Sequence, residues 1–444
     1  MQLDLRFIVP GESTGTILLT TDGVLPAASV DGDEDEAAVV AVTAYLREVL
    51  GLHVPVLETH PRWADVPKGD PIPTLVLTET APNGWAPPPS NTFGPIPSGL
   101  VGVPAVVVPR VMELLGELRT GAPPPLLRPR WARSGWHARA SGWMIAASAA
   151  AGRPLTSEPT PFYLRGISAL FRGRTAVGDI FLKAVFPPFH AEPGVTRLLA
   201  ERFPGSVPRV LAIEADEGWL IVEDVAAPWV GNLPAEQRVV GLSVGARAIV
   251  DLQRAVATDL DAFVTAGCPL RPLAEVPELL DAALGPEGMA IVDEDVSAER
   301  RERAVAATRR AVERVAALGF PTSVVHGDFH AGNAALVGDR VVIIDWSDAA
   351  IGNPLIDLVT WLSLSKDEPE QLQVATDAWI DAWADPTDPT AVRDALDDIL
   401  IVGAAYQIVS YDGIIRALEP ATRYTMRDGA SEYLARLEAI LERA

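Results

Sequence analysis

The stretch "VVHGDFHAGN", Val324 to Asn333, concentrates chemistry-bearing side chains. His326 and His330 stand four apart with Asp328 between them, and Asn333 follows Asp328 by five positions. Twelve residues further on, Asp345 ends the apolar run "VVIID". Two readings compete. A zinc pair of the H-E-x-x-H kind needs a helix, so that both imidazoles share a face, and an acid directly after the first histidine. Here Gly327 follows His326, the acid is Asp328, and a second glycine, Gly332, interrupts the segment. Gly-Asp and Ala-Gly-Asn favour loops over helix interiors. The other reading is phosphoryl transfer. One carboxylate orients the attacking hydroxyl and accepts its proton, while an amide oxygen and a second carboxylate hold magnesium against phosphates. Asp328, Asn333 and Asp345 supply that set, provided a short hairpin brings them together.

Elements that could position such a site are visible on both sides. "DIFLKAV" reads as an apolar strand carrying Lys183, one of only three lysines (Lys68, Lys183, Lys366) among 36 basic residues. A lysine kept inside an apolar strand needs a reason, and binding the α and β phosphates of a nucleotide is one. Nine residues later Glu192 opens a helical pattern, where an acid would position that lysine; Glu201 is a second candidate, and a first-turn glutamate favoured by the helix dipole is the plainer account. "GWLIVEDV" reads as a strand entering a hinge, with backbone groups from Glu223 to Val225 available to adenine. Ser168, in "RGISALFRG", is either a phosphate contact or an ordinary turn serine, and this stretch lacks G-x-G-x-x-G.

"HGDFHAGN" together with "IIDWSDAAIGNPLIDL" resembles the phosphotransferase family that includes aminoglycoside phosphotransferases and choline-type kinases. His326, Gly327, Asp328 and Asn333 match its H-G-D-x-x-x-x-N motif; Ile344, Asp345 and Trp346 match its I-D-W/F motif; Gly352, Pro354, Asp357 and Leu358 match a third. The resemblance implies a bilobal protein-kinase-like fold, ATP and magnesium as cofactors, Asp328 as catalytic base and a small hydroxyl compound as acceptor. It leaves His326 and Asp357 as braces of the loop. Acceptor contacts are sought at His330 and Asp348, and in "AAYQIVSYDGIIRALEP" at Tyr406, Gln407, Tyr411, Asp412 and Glu419, each of which could equally be packing or surface. A nucleotide-binding regulator without turnover is the alternative from another class.

The chain has 444 residues, too many for one ordinary core. The expected class is α+β. Residues 1 to 120 read as a small α/β domain and 121 to 130 as a proline-stiffened linker, "TGAPPPLLRPRW". Residues 131 to 226 read as a β-rich lobe and 227 to 444 as a mainly helical one. "GWAPPPSNTFGPIPSG" reads as a loop. The first domain resembles a Nudix domain in layout, but "REVLGL" at Arg47 lacks the paired glutamates of R-E-x-x-E-E-x-G, which implies lost hydrolase chemistry. The acidic run with Asp31, Asp33 and Asp35 fails an EF-hand, because Glu36 and Val42 stand where glycine and glutamate are required.

A net charge of −23 argues against nucleic acid and anionic membranes as partners and would suit a cationic acceptor, although an acidic surface is commonly a solubility feature. One cysteine, Cys268, excludes an internal disulfide and fits a reducing compartment. The start lacks a basic region followed by an apolar one, and a cytoplasmic location is expected. Oligomeric state is not readable.

Overall fold

The computed structural model describes residues 2–13, 15–31, 38–60, 74–96, 108–120, 122–286, 288, 296–363 and 369–443. Asp33, Asp35, Glu36, Lys68 and Lys366 lie outside them. The chain divides into two compact units, residues 1–186 with 418–425, and residues 187–417 with 426–444.

The first unit begins with β1 (Gln2–Ile8), β2 (Thr16–Thr20), β3 (Ala27–Asp31), α1 (Ala38–Glu48), β4 (Val56–His60), β5 (Thr74–Thr78) and β6 (Asn91–Pro95). Four of these strands form a mixed sheet in the order β3-β1-β5-β4, with β1 and β5 parallel and the outer pairs antiparallel. Strand β5, "TLVLT", is buried along its whole length, as a central strand covered on both faces requires. The proline- and glycine-rich stretch expected to be a loop contains β6. It pairs antiparallel with β2 from Thr16↔Pro95 to Thr20↔Asn91. Proline is tolerated because it sits at the strand's end, and Phe93 packs edge-on against Trp85.

Then follow α2 (Val108–Thr120), α3 (Trp136–Ala150) and an antiparallel meander of β7 (Thr160–Leu164), β8 (Ser168–Thr175) and β9 (Gly178–Val185). In β9, Ile180, Leu182 and Ala184 are buried, while Asp179, Phe181 and Lys183 alternate on the other face. Lys183 stands opposite Leu170 of β8.

This unit also holds a buried ionic cluster. Arg110 of α2 and Arg128 each pair with both Glu58 of β4 and Glu419. Arg128 lies in the stretch read as a linker, which is thereby anchored; Glu419 was an acceptor candidate, and it is instead a counter-ion held by two guanidinium groups.

The second unit runs α4 (Glu192–Arg202), β10 (Val210–Glu214), β11 (Trp219–Glu223), α5 (Ala235–Val256), α6 (Asp261–Thr265), α7 (Val276–Ala283) and α8 (Ala298–Ala316). The short strands β12 (Ser323–Val325), β13 (Ala334–Val337), β14 (Arg340–Ile343) and β15 (Ala350–Gly352) follow. The unit ends with α9 (Leu355–Ser363), α10 (Pro369–Ala382), α11 (Pro389–Asp394), α12 (Leu396–Ala417) and α13 (Tyr424–Arg443). Helix α8 starts where the Ser297 hydroxyl accepts the Arg300 N–H at 3.2 Å, an N-cap that satisfies an otherwise orphaned donor. Trp346, Trp361, Trp379 and Trp383 are all fully buried in the core. Helix α12 is long and apolar enough to cross a membrane, but 67% of its most apolar stretch is buried within the fold.

Candidate active site

The two strand pairs around "HGDFHAGN" explain its shape. β12 delivers the chain to His326 and pairs with β15, which lies just after Asp348. β13 and β14 form a hairpin in register Ala334↔Ile343 to Val337↔Arg340, turning at Gly338 with φ +65°. Asn333 precedes that hairpin and Asp345 follows it. The Ile344 N–H donates to the Asn333 carbonyl at 2.9 Å, so the ladder extends to the functional residues and closes their separation in sequence. The Asn333 Nδ2 donates to the Asp328 carbonyl at 3.0 Å. Its Oδ1 accepts no hydrogen bond from the described residues.

Asp345 occupies left-handed backbone, φ +63°, a region that non-glycine residues enter rarely and that concentrates at functional sites. Its side chain is exposed. Gly327 has φ +84°, and a Cβ there would lie 2.4 Å from the Asp348 carbonyl oxygen, so only glycine fits.

The loop is braced from beneath. Asp357, fully buried in the first turn of α9, accepts the N–H groups of His326 and Gly327, each at 2.8 Å, and the Gln253 Nε2 at 2.7 Å. Burial pushes the Asp357 carboxyl up to about 7, against those donors, which favour its charged form. His326 is buried as well: its Nε2 donates to the Ile344 carbonyl at 2.8 Å, and its Nδ1 accepts the Asp328 N–H at 3.3 Å. Burial holds its pKa down, so the ring is a neutral tie between loop and hairpin. Trp346 packs against it with ring centroids 4.7 Å apart.

The catalytic candidate itself is open. The Asp328 side chain is 48% exposed, and its Oδ2 lies 3.6 Å from the His330 Nε2. Burial opposes the charged form of His330, but the neighbouring Asp328 and Asp345 outweigh it and raise its pKa. Asp348 sits behind them. Burial, reinforced by Asp328 and Asp345, pushes its carboxyl up to about 7, although the Arg271 charge and a hydrogen bond from the Ser410 hydroxyl at 3.2 Å act the other way.

Helix α12 supplies the neighbouring wall. Gln407, an acceptor candidate, is buried and donates its Nε2 to the Gly327 carbonyl at 2.7 Å; it supports the loop instead. Tyr406 is buried too, with the Arg271 guanidinium 5.8 Å above its ring. Asp412 is paired with Arg416 one turn on, at 2.8 Å. Tyr411 packs on Tyr433 at 6.1 Å, and burial with nearby Asp328 raises its phenol strongly. Gly429 makes room for that ring, since a Cβ there would lie 2.3 Å from it. On the other side of Ser410 opens a cavity of about 190 Å³ lined by Phe189, Arg271, Val276, Tyr406 and Ile414, among others.

The remaining candidates fall elsewhere. Glu192 is buried at the start of α4 and accepts from the Ser347 hydroxyl at 2.8 Å, whereas Glu201 is exposed and pairs with Arg197 at 3.9 Å. The Glu223 N–H is taken by the Arg209 carbonyl at 3.0 Å. The Val225 N–H makes no backbone hydrogen bond among the described residues. Ser168 is the buried first residue of β8, and its carbonyl accepts the Arg165 N–H at 2.9 Å. Sequence reasoning did not find Arg271, Gln253, Ser410, Tyr433 or Ser347. Of these, Ser347 alone left a signal, as the polar residue two past Asp345.

Asn333 Oδ1 and the Asp345 carboxylate are hard oxygen donors, as a magnesium ion prefers, and two protein ligands suffice where phosphates complete the shell. No cluster of three or more His, Cys, Asp or Glu residues fit for a metal occurs among the described residues.

The phosphotransferase enzyme family matches residues 165–393, just over half of the chain. The chain belongs to that family. It is a phosphotransferase, built from mixed sheets and helices as an α+β protein. No curated protein matches. Among solved structures it is similar to a choline/ethanolamine kinase family protein from Mesorhizobium loti (19% identity, TM-score 0.49, covering 69% of this chain and 94% of that one). It is also similar to a type I macrolide 2'-phosphotransferase (19%, 0.47, 67% and 96%) and to a thermostable mutant of an aminoglycoside phosphotransferase (14%, 0.49, 68% and 98%).

Proposed function

We propose that this enzyme transfers the γ-phosphoryl group of ATP, with magnesium, to a hydroxyl of a small acceptor such as an amino sugar, aminoglycoside, sugar or amino alcohol. The observation that supports it is the β13–β14 hairpin, which sets Asn333, hydrogen-bonded to the Asp328 carbonyl, against Ile344, the residue before Asp345. Asp328, open to solvent and flanked by His330, orients the acceptor hydroxyl and takes its proton. Asn333 Oδ1 and Asp345 hold the cation, which when bound neutralises charge building on the phosphates. Lys183 binds the α and β phosphates, and Ser168 is a further phosphate contact. An adenine edge presents one donor and one acceptor, which the Glu223 carbonyl and the Val225 N–H complement. His330, Asp348, Tyr411 and Asp412 border the acceptor.

The test is coupled ADP release from Mg-ATP over a panel of amino sugars, aminoglycosides, neutral sugars, amino alcohols and macrolides, with Asp328→Asn alongside. Removing a general base lowers turnover about 10²–10⁴-fold, and nucleotide binding should persist. Wild-type turnover in the variant refutes the role of Asp328. Tight ATP binding with no release on any acceptor favours a regulator without turnover.

A further inference from the structure

Ser347 lies two residues beyond Asp345, and its Oγ is 2.6 Å from Asp345 Oδ1 and 2.8 Å from Glu192 Oε2. Both are hydrogen-bond distances, but a hydroxyl has one proton. It donates to one carboxylate at a time, and the other then faces its lone pairs. Glu192 opens α4 and is 3% exposed, so its carboxylate marks where the first turn of that helix is seated. Asp345 is exposed and strained into left-handed backbone. The two acids have other polar neighbours, yet Ser347 makes the contact that joins them.

We propose that the Ser347 hydroxyl is a positioning group that couples cation occupancy of Asp345 to the seating of α4. With a divalent cation at Asp345, the lone pairs of Oδ1 are drawn to it and the Ser347 proton settles on Glu192. Without one, the proton is shared between the two acids and the first turn of α4 is held less firmly. This deepens the reading of Asp345 as a cation ligand and rests on it. Ser347 touches neither nucleotide nor acceptor in this scheme; it acts through Asp345 and Glu192.

The experiment uses the full chain with a saturating non-hydrolysable ATP analogue, with and without Mn²⁺, in wild type, Ser347→Ala, Ser347→Thr and Asp345→Ala. Two quantities are read: Mn²⁺ affinity by electron paramagnetic resonance, and hydrogen-exchange protection of residues 192–202. In wild type, Mn²⁺ raises that protection beyond what the analogue gives alone. Ser347→Ala should lose the Mn²⁺-dependent increment and bind Mn²⁺ about 2–10-fold more tightly, the worth of the one net hydrogen bond that no longer competes with the cation for Oδ1. Ser347→Thr keeps the hydroxyl and should restore both. A merely structural serine would not move a metal-dependent increment. Wild-type increment and affinity in Ser347→Ala overturn the proposal, as does a lost increment with tightened affinity in a folded Ser347→Thr. Unchanged Mn²⁺ affinity in Asp345→Ala overturns the underlying reading of Asp345 instead.

Discussion

Glu419→Ala should be among the most damaging single substitutions in the first unit. Glu419 is 2% exposed and holds two guanidinium groups at once. It accepts from Arg110 Nη1 and Nη2 at 2.9 and 3.1 Å, and from Arg128 Nε and Nη2 at 2.9 Å each. Both arginines are themselves 3–5% exposed, so neither can turn to water when the acid is removed. They would be left with Glu58, also buried, and with Glu113 and Glu117 nearer the surface. Breaking a buried ion pair from one side costs about 3–5 kcal/mol, because the remaining charge is uncompensated. Burial works to raise the Glu419 carboxyl, but its bonds to Arg128 and Arg110 outweigh that and hold it below the usual glutamate value. The acid's contribution is therefore complete above the unfolded-state value and is lost as pH falls through the folded one. Urea unfolding at neutral pH should show the full difference between wild type and Glu419→Ala, and the difference should shrink as the solution is acidified. Glu419→Gln, which keeps the volume and loses the charge, should fall between. A loss under about 1 kcal/mol would be that of a surface pair, and the reasoning from burial would then be wrong. Below the unfolding range, acceptor KM should be unchanged in both variants; a raised KM would return Glu419 to the acceptor site.

Asp357→Ala should cripple both stability and turnover, since each of the three donors it strands costs about 1–3 kcal/mol when buried unpaired; a stable, fully active variant would show that the loop holds its shape without this brace. A pH effect follows from Asp348, whose folded value, raised to about 7, lies above its unfolded one, so its contribution to stability is complete at low pH and is lost as pH rises through about 7. Melting temperature should thus decline from mildly acidic to mildly alkaline solution, and Asp348→Asn should flatten that decline; identical slopes in the two proteins would assign the titration to another group.

How far the site could be read from sequence follows from distance along the chain. His326 to Asp345 spans one loop and one hairpin, so residue types and spacing carried nearly all of its geometry. The local turn at Gly338 sets the register that brings Asn333 to Asp345. Partners supplied from far away left no such trace. Gln253 reaches Asp357 across 104 positions and Arg110 reaches Glu419 across 309. Strand β6 was hidden because its prolines advertise a loop, while its partner β2 lies at the other end of the domain.

The same distinction decides what the acidic composition says about the acceptor. Helix α12 and the residues after it offered Gln407, Tyr411, Asp412 and Glu419 as acceptor contacts, and the excess of acid invited a cationic ligand. The partners of these residues remove most of that argument. Glu419 is neutralised by two arginines, Asp412 by Arg416, and Gln407 is spent on the Gly327 carbonyl. Asp348 stands in the field of Arg271, and its raised value leaves it partly uncharged near neutral pH. A charge counts toward ligand choice only when no protein group of opposite sign is closer, and by that measure Glu419 and Asp412 do not argue for a cationic acceptor. Tyr411 lies near Asp328 without a charge of its own, and a phenol selects by ring face and hydroxyl rather than by charge. Acceptor preference should accordingly track shape and hydroxyl placement across the panel more closely than it tracks the number of amines.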